Sequence, residues 1–72
     1  MPDTIATSIT LNGGPYPLDG DTPLNSLLER LKMRRGRVAV EINREIVPKA
    51  KYEATVVRAG DLVEIINFVG GG

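Results

Sequence analysis

The sequence predicts an α+β domain, with one main helix packed across one face of a mixed sheet. Three observations lead there. "IATSITLN" and "RVAVEI" alternate with the period of a half-buried strand, and "LVEIINFV" reads as a last strand whose polar face Glu64 marks. "TPLNSLLERL" instead spaces its leucines as a helix does. The strands come in two groups, one before the helix and one after, which favours segregated α and β over an alternating parallel fold. Seventy-two residues make one domain, 1–72, whose small core is workable without staples.

Taken in order, Ile5, Ile9 and Leu11 share one face of the first strand, with Ser8, Thr10 and Asn12 on the other. "NGGP" is a turn. "YPL" follows as a short strand, and Pro15 and Pro17 suit it to a sheet edge. In the helix, Thr22 is the expected cap, Pro23 the first helical residue and Gly36 the terminator. Leu24, Leu27, Leu28 and Leu31 fall at i, i+3, i+4 and i+7 and form the buried stripe. Val38, Val40 and Ile42 then point to one face of a third strand. "NRE" turns the chain into a short strand, "IVP", halted by Pro48. "KAKYEATVVRAGD" has no sustained period and is expected to be a loop with a helical turn around Tyr52, Val56 and Val57. Ala59-Gly60-Asp61 turns into the last strand, with Val63 and Ile65 in the core. Leu62, Ile66 and Phe68 share the opposite face with Glu64. The first and last strands are expected side by side in the middle of the sheet. This order of elements matches the β-grasp, or ubiquitin-like, architecture.

Composition removes several classes of function. Nine basic and nine acidic residues give no net charge, and so no electrostatic footprint for nucleic acid. The one basic cluster, Lys32 to Arg37, is expected at a helix end, where cations suit the dipole. No apolar run has membrane-spanning length, and "MPDTIATSIT" lacks the plan of a signal peptide, so the expected location is the cytoplasm. There is no cysteine and no histidine. The chain therefore has no thiol nucleophile, no thiolate metal site and none of the commonest general base. Ser8 and Ser26 have nothing to activate them. Asp19 and Asp21 suit turn and cap positions better than an acid/base dyad, and Glu45 and Glu53 have no ligand spacing. Intrinsic catalysis is not expected, and neither is a bound cofactor.

One reactive group is left: a carboxylate at Gly72, after the run Phe68-Val69-Gly70-Gly71-Gly72. As a carboxylate it is inert to nucleophiles. Joined to AMP by a partner enzyme using ATP, it becomes an acyl donor, and a sulfur nucleophile displacing AMP leaves a thiocarboxylate. The tail 70–72 suits such loading. Glycines enter a narrow channel and adopt backbone angles closed to other residues, and three of them reach at most roughly 10 Å. The tail is expected to be mobile, since three glycines have nothing to pack. Ile66 and Phe68, on the outer face beside it, are the candidate docking residues for partner enzymes.

From about Ser8 to Gly72 the sequence resembles the ThiS family of sulfur carrier proteins of thiamine biosynthesis. The resemblance rests on "ITLNG", "TPLNSLLERL", "VAVEINREIVPK", the "AGD" turn and the closing apolar strand with Gly-Gly, all in family order. "INREIVPK" is the most distinctive piece. Gly71 and Gly72 match the family's terminal diglycine, while Gly70 only lengthens the tail. Lys49 stands where arginine is at least as familiar, and Tyr52 where tryptophan is. The resemblance implies three partners. An adenylyltransferase related to ubiquitin-activating enzymes would use MgATP on Gly72. A sulfur donor system such as a cysteine desulfurase would supply sulfur. Thiazole synthase would receive it. Rival readings are a sulfur carrier for molybdopterin synthesis, a protein modifier and a ubiquitin-like binding module.

Overall fold

A computed structural model describes residues 8–68 of the chain. Strands β1 (Ser8–Leu11) and β2 (Gly14–Pro17) form the N-terminal hairpin. A two-residue strand, β3 (Thr22–Pro23), leads directly into the helix α1 (Leu24–Arg30). Strand β4 (Val38–Ile42) turns back as β5 (Glu45–Ile46). A 3₁₀ segment, Lys49–Ala54, precedes the two-residue β6 (Val56–Val57) and the long β7 (Leu62–Asn67). The main sheet has the order β2-β1-β7-β4-β5, and β3 pairs with β6 apart from it. The first and last strands meet in its centre and run parallel, with Thr10 opposite Leu62 and Leu11 opposite Val63. The other pairings are antiparallel. This is the mixed sheet and single main helix of the β-grasp.

One face of the sheet carries the core. Ile9, Val38, Val40, Val63 and Ile65 are buried against Leu24, Leu27 and Leu28 of the helix, with Leu18, Tyr52 and Val57 closing the sides. Both strand alternation and helical spacing are thereby satisfied in one interior. Each fully buried leucine contributes about 1.5–3 kcal/mol, so the helix stripe is a large share of what holds a chain this small.

The two hairpin turns are tight and built on asparagine. Asn12 and Gly13 have φ of 49° and 88°, and Asn43 and Arg44 have φ of 54° and 72°. Both loops need left-handed backbone at two successive residues, which matches the twist of the strands they join. Gly60, at φ 86°, makes the turn before β7, where the Asp61 N–H donates to the Arg58 carbonyl at 3.0 Å.

The structure corrects the expected helix boundaries. Thr22 does not cap α1. Its hydroxyl donates to the Gly20 carbonyl at 2.9 Å, and its backbone pairs with Val57. Pro23 has ψ 141° and stands outside the helix, and the Leu24 N–H is taken by the Thr55 carbonyl at 2.9 Å. A loop carbonyl thus satisfies a donor that a cap side chain would otherwise serve. Gly36 does not end the helix either. Lys32 takes the left-handed conformation at φ 60°. Its N–H donates to Glu29 and that of Met33 to Leu28, the two bonds of a Schellman ending. Gly36 lies in a separate 3₁₀ turn, Arg35–Arg37. The basic cluster therefore begins just past the helix end and continues into that turn. Val56 and Val57 form β6, not a helical turn, because their backbone pairs with β3.

Candidate functional site

The outer face of the sheet, opposite the helix, is built by the residues that the core leaves over. Across β7 and β4, Glu64 lies opposite Glu41 and Ile66 opposite Ala39, and Ile46 of β5 extends the row from Glu41. Three large apolar side chains stand in solvent: Ile46 is 74% exposed, Ile66 57% and Phe68 54%. Ile66 lies on the outer face by strand alternation alone. Phe68 is fixed by its backbone, whose N–H donates to the Arg37 carbonyl at 2.7 Å and extends the β4–β7 ladder one step past the strand end. Phe68 and Ile46 border a hollow of about 250 Å³, with Pro48 and Lys49 also lining it.

Below the hollow lies the buried Tyr52, with the Arg35 guanidinium 5.9 Å from its ring centre. Arg35 also donates to the Lys49 carbonyl at 3.2 Å, so the 3₁₀ turn before β4 and the one after β5 are tied together. Burial pushes the Tyr52 phenol up from its ordinary range, against a hydrogen bond with the Val40 backbone and the Arg35 charge, which both lower it. The neutral phenol is the form that suits this site.

Sequence reasoning placed Ile66 and Phe68 on the outer face, and the structure puts both there, exposed. Gly70, Gly71 and Gly72 lie outside the described residues. Ile46 is a third exposed apolar residue, outside that prediction. The alternation of β4 could have found it, since the short hairpin turn places it opposite Glu41. The carboxylates considered for chemistry are dispersed. Asp21 pairs with Arg58 at 3.5 Å, and Glu45 and Glu53 stand exposed on different elements. Among the described residues no three acidic, histidine or cysteine side chains are grouped to hold a metal ion. No helix of the described residues is long and apolar enough to cross a membrane.

Residues 9–72 of the chain match the ThiS family. The chain belongs to that family. The match places it among the ThiS sulfur carriers of thiamine biosynthesis. The sulfur carrier protein ThiS of Bacillus subtilis is 35% identical over 65 residues, which cover 89% of this chain and 98% of that one. The crystal structure of the thiamine biosynthesis protein ThiS from Geobacter metallireducens superposes with a TM-score of 0.76 at 38% identity, covering 90% of this chain and 99% of that one. A thiazole synthase of Magnetococcus marinus is 39% identical over 64 residues, 89% of this chain. The chain spans only 20% of that enzyme's length. The ThiS relatives are therefore matched nearly end to end, and the thiazole synthase over one segment.

Proposed function

We propose that the ThiS-family chain is a co-substrate whose Gly72 carboxylate carries the sulfur. The carboxylate attacks the α-phosphorus of MgATP in a partner adenylyltransferase related to ubiquitin-activating enzymes, and pyrophosphate leaves. The persulfide of a desulfurase charged from cysteine then displaces AMP from the acyl carbon to give an acyl disulfide, and a thiol reductant cleaves that S–S bond, leaving a thiocarboxylate on Gly72 and the desulfurase thiol. Thiazole synthase takes that sulfur. The observation that carries this reading is that the family match runs through Gly72, so the diglycine is part of the matched sequence. A thiazole synthase containing a segment 39% identical to this chain supports the last step.

The geometry suits the division of labour. The β4–β7 ladder holds the chain rigidly as far as Phe68. From there Val69 to Gly72 reach at most about 14 Å. That is enough to deliver a carboxylate into a recessed site while Phe68 and Ile66 stay on the docking surface. The catalytic groups come from the partners.

The test is reconstitution of thiazole formation with the adenylyltransferase, a sulfur source and thiazole synthase. Deleting Gly71 and Gly72 should abolish sulfur transfer and leave the far-ultraviolet circular dichroism unchanged. Transfer at the full rate by the truncated chain would overturn the proposal.

A further inference from the structure

We propose that the face around the tail root is electrically polarised, so that it docks on thiazole synthase in one orientation. Carboxylates of the enzyme, beside the opening that admits the tail, meet Arg37 and Lys49. A cation of the enzyme, farther out, meets Glu41 and Glu64. This rests on the carrier reading above and adds to it what the partner's surface must look like.

Cations gather where the chain leaves the sheet. The Arg37 carbonyl holds the Phe68 N–H at 2.7 Å, so Arg37 sits at the tail root. Lys49 lines the same hollow as Phe68. Among the described residues the one ion pair within 4.0 Å joins Arg58 to Asp21, so neither Arg37 nor Lys49 has a carboxylate partner there. At the other end of the same face, Glu41 and Glu64 are direct cross-strand partners. Like charges in that position destabilise a sheet. The acidic end thus sets two like charges side by side, although the whole chain is neutral with 9 cations and 9 anions. Ile66 lies between them. Glu64 and Phe68 are four residues apart along an extended strand, about 13 Å, so the two ends are distinct at the Debye length of about 10 Å in 0.1 M salt.

The occupant follows from reach and continuity. An enzyme that admits Gly72 must come within about 14 Å of Phe68, which brings it to the tail root, where this face begins. Thiazole synthases carry a segment similar to this chain within their own sequence. Complementary charge at two points fixes orientation and speeds encounter, which apolar contacts at Ile66 and Phe68 alone do not.

The test is the affinity of the folded chain for thiazole synthase by titration calorimetry, from 50 to 500 mM salt on the scale of screening. Wild-type binding should weaken steadily with salt. Arg37→Glu and Glu64→Lys should each weaken binding about tenfold at low salt, and Arg37→Lys should keep it. Circular dichroism checks folding, and Lys49→Glu serves if Arg37→Glu misfolds. Wild-type binding that ignores salt and charge reversal would overturn the polarity and leave the carrier reading standing. No wild-type binding at any salt would overturn the choice of thiazole synthase and, with it, the last step of that reading.

Discussion

The side-chain amide of Asn12 takes both backbone groups of Ile65. Its Oδ1 accepts the Ile65 N–H at 2.8 Å, and its Nδ2 donates to the Ile65 carbonyl at 3.3 Å, across 53 residues of sequence. Strand β1 ends at Leu11, so the ladder with β7 would stop at Val63. The Asn12 backbone N–H adds one bond, to the Val63 carbonyl at 2.9 Å, and its side chain imitates the next strand residue. The central parallel pair is thereby lengthened while the chain is already turning. Asn12→Ala should cost about 1–3 kcal/mol for the opened backbone groups, plus about 1 kcal/mol because alanine tolerates the left-handed φ of 49° less well than asparagine. Asn12→Gly keeps the backbone angle and should lose only the first part. Equal losses in denaturant melts would contradict the split.

Two long side chains occupy backbone angles that favour glycine. Lys32 ends the helix at φ 60° and Arg44 closes the second hairpin at φ 72°. Both are exposed. Replacing either by glycine relieves about 1 kcal/mol of left-handed strain, offset in part by a freer unfolded chain. Each variant should therefore gain about 0.5 kcal/mol, read as a raised denaturation midpoint at constant slope. A lowered midpoint would show that these side chains hold something glycine does not.

Tyr52 gives the fold an alkaline limit. Burial raises its phenol above the unfolded value, which lies near 10. The folded state therefore keeps the proton longer than the unfolded one. That stabilisation is full below about pH 10 and is lost as pH rises through the folded value. Stability measured from pH 9 to 11.5 should fall in wild type, and Tyr52→Phe should remove this part of the slope. An unchanged slope in the variant would contradict the assignment.

Ile66 and Phe68 stand free of the core, so truncating them tests docking apart from folding. Phe68→Ala should leave the melting curve within about 0.5 kcal/mol of wild type, as exposed positions do. It should weaken the complexes with the adenylyltransferase and with thiazole synthase by about 1–2 kcal/mol each. Loss of the fold with unchanged affinity in the folded fraction would instead make Phe68 a structural anchor.

Much of this was legible in the sequence because it follows from period. The leucine stripe, the core faces of β1, β4 and β7, the edge position of β2 and the outer-face residues Ile66 and Phe68 all fall out of spacing. What escaped depends on tertiary partners. Thr22 has the chemistry of a cap, but the Thr55 carbonyl already serves Leu24, so its hydroxyl turns to Gly20. Gly36 looks like a stop, but the Schellman bonds close at Lys32, because Met33 continues the apolar face over Leu28. Asn12, Asn43 and Asp61 read as turn residues, and nothing local shows that Asn43 also accepts the Leu62 N–H or that Asp61 accepts from Asn43 and Arg58.

The central claim is that Gly72 is the loaded atom, and intact-protein mass spectrometry tests it most directly. The chain is mixed with MgATP, the cognate adenylyltransferase and a sulfur source, and the products are mapped by fragmentation. The account predicts an AMP adduct and then the replacement of one oxygen by sulfur, both at Gly72. An unchanged mass in the presence of a demonstrably active enzyme, or sulfur placed on any other residue, would contradict it.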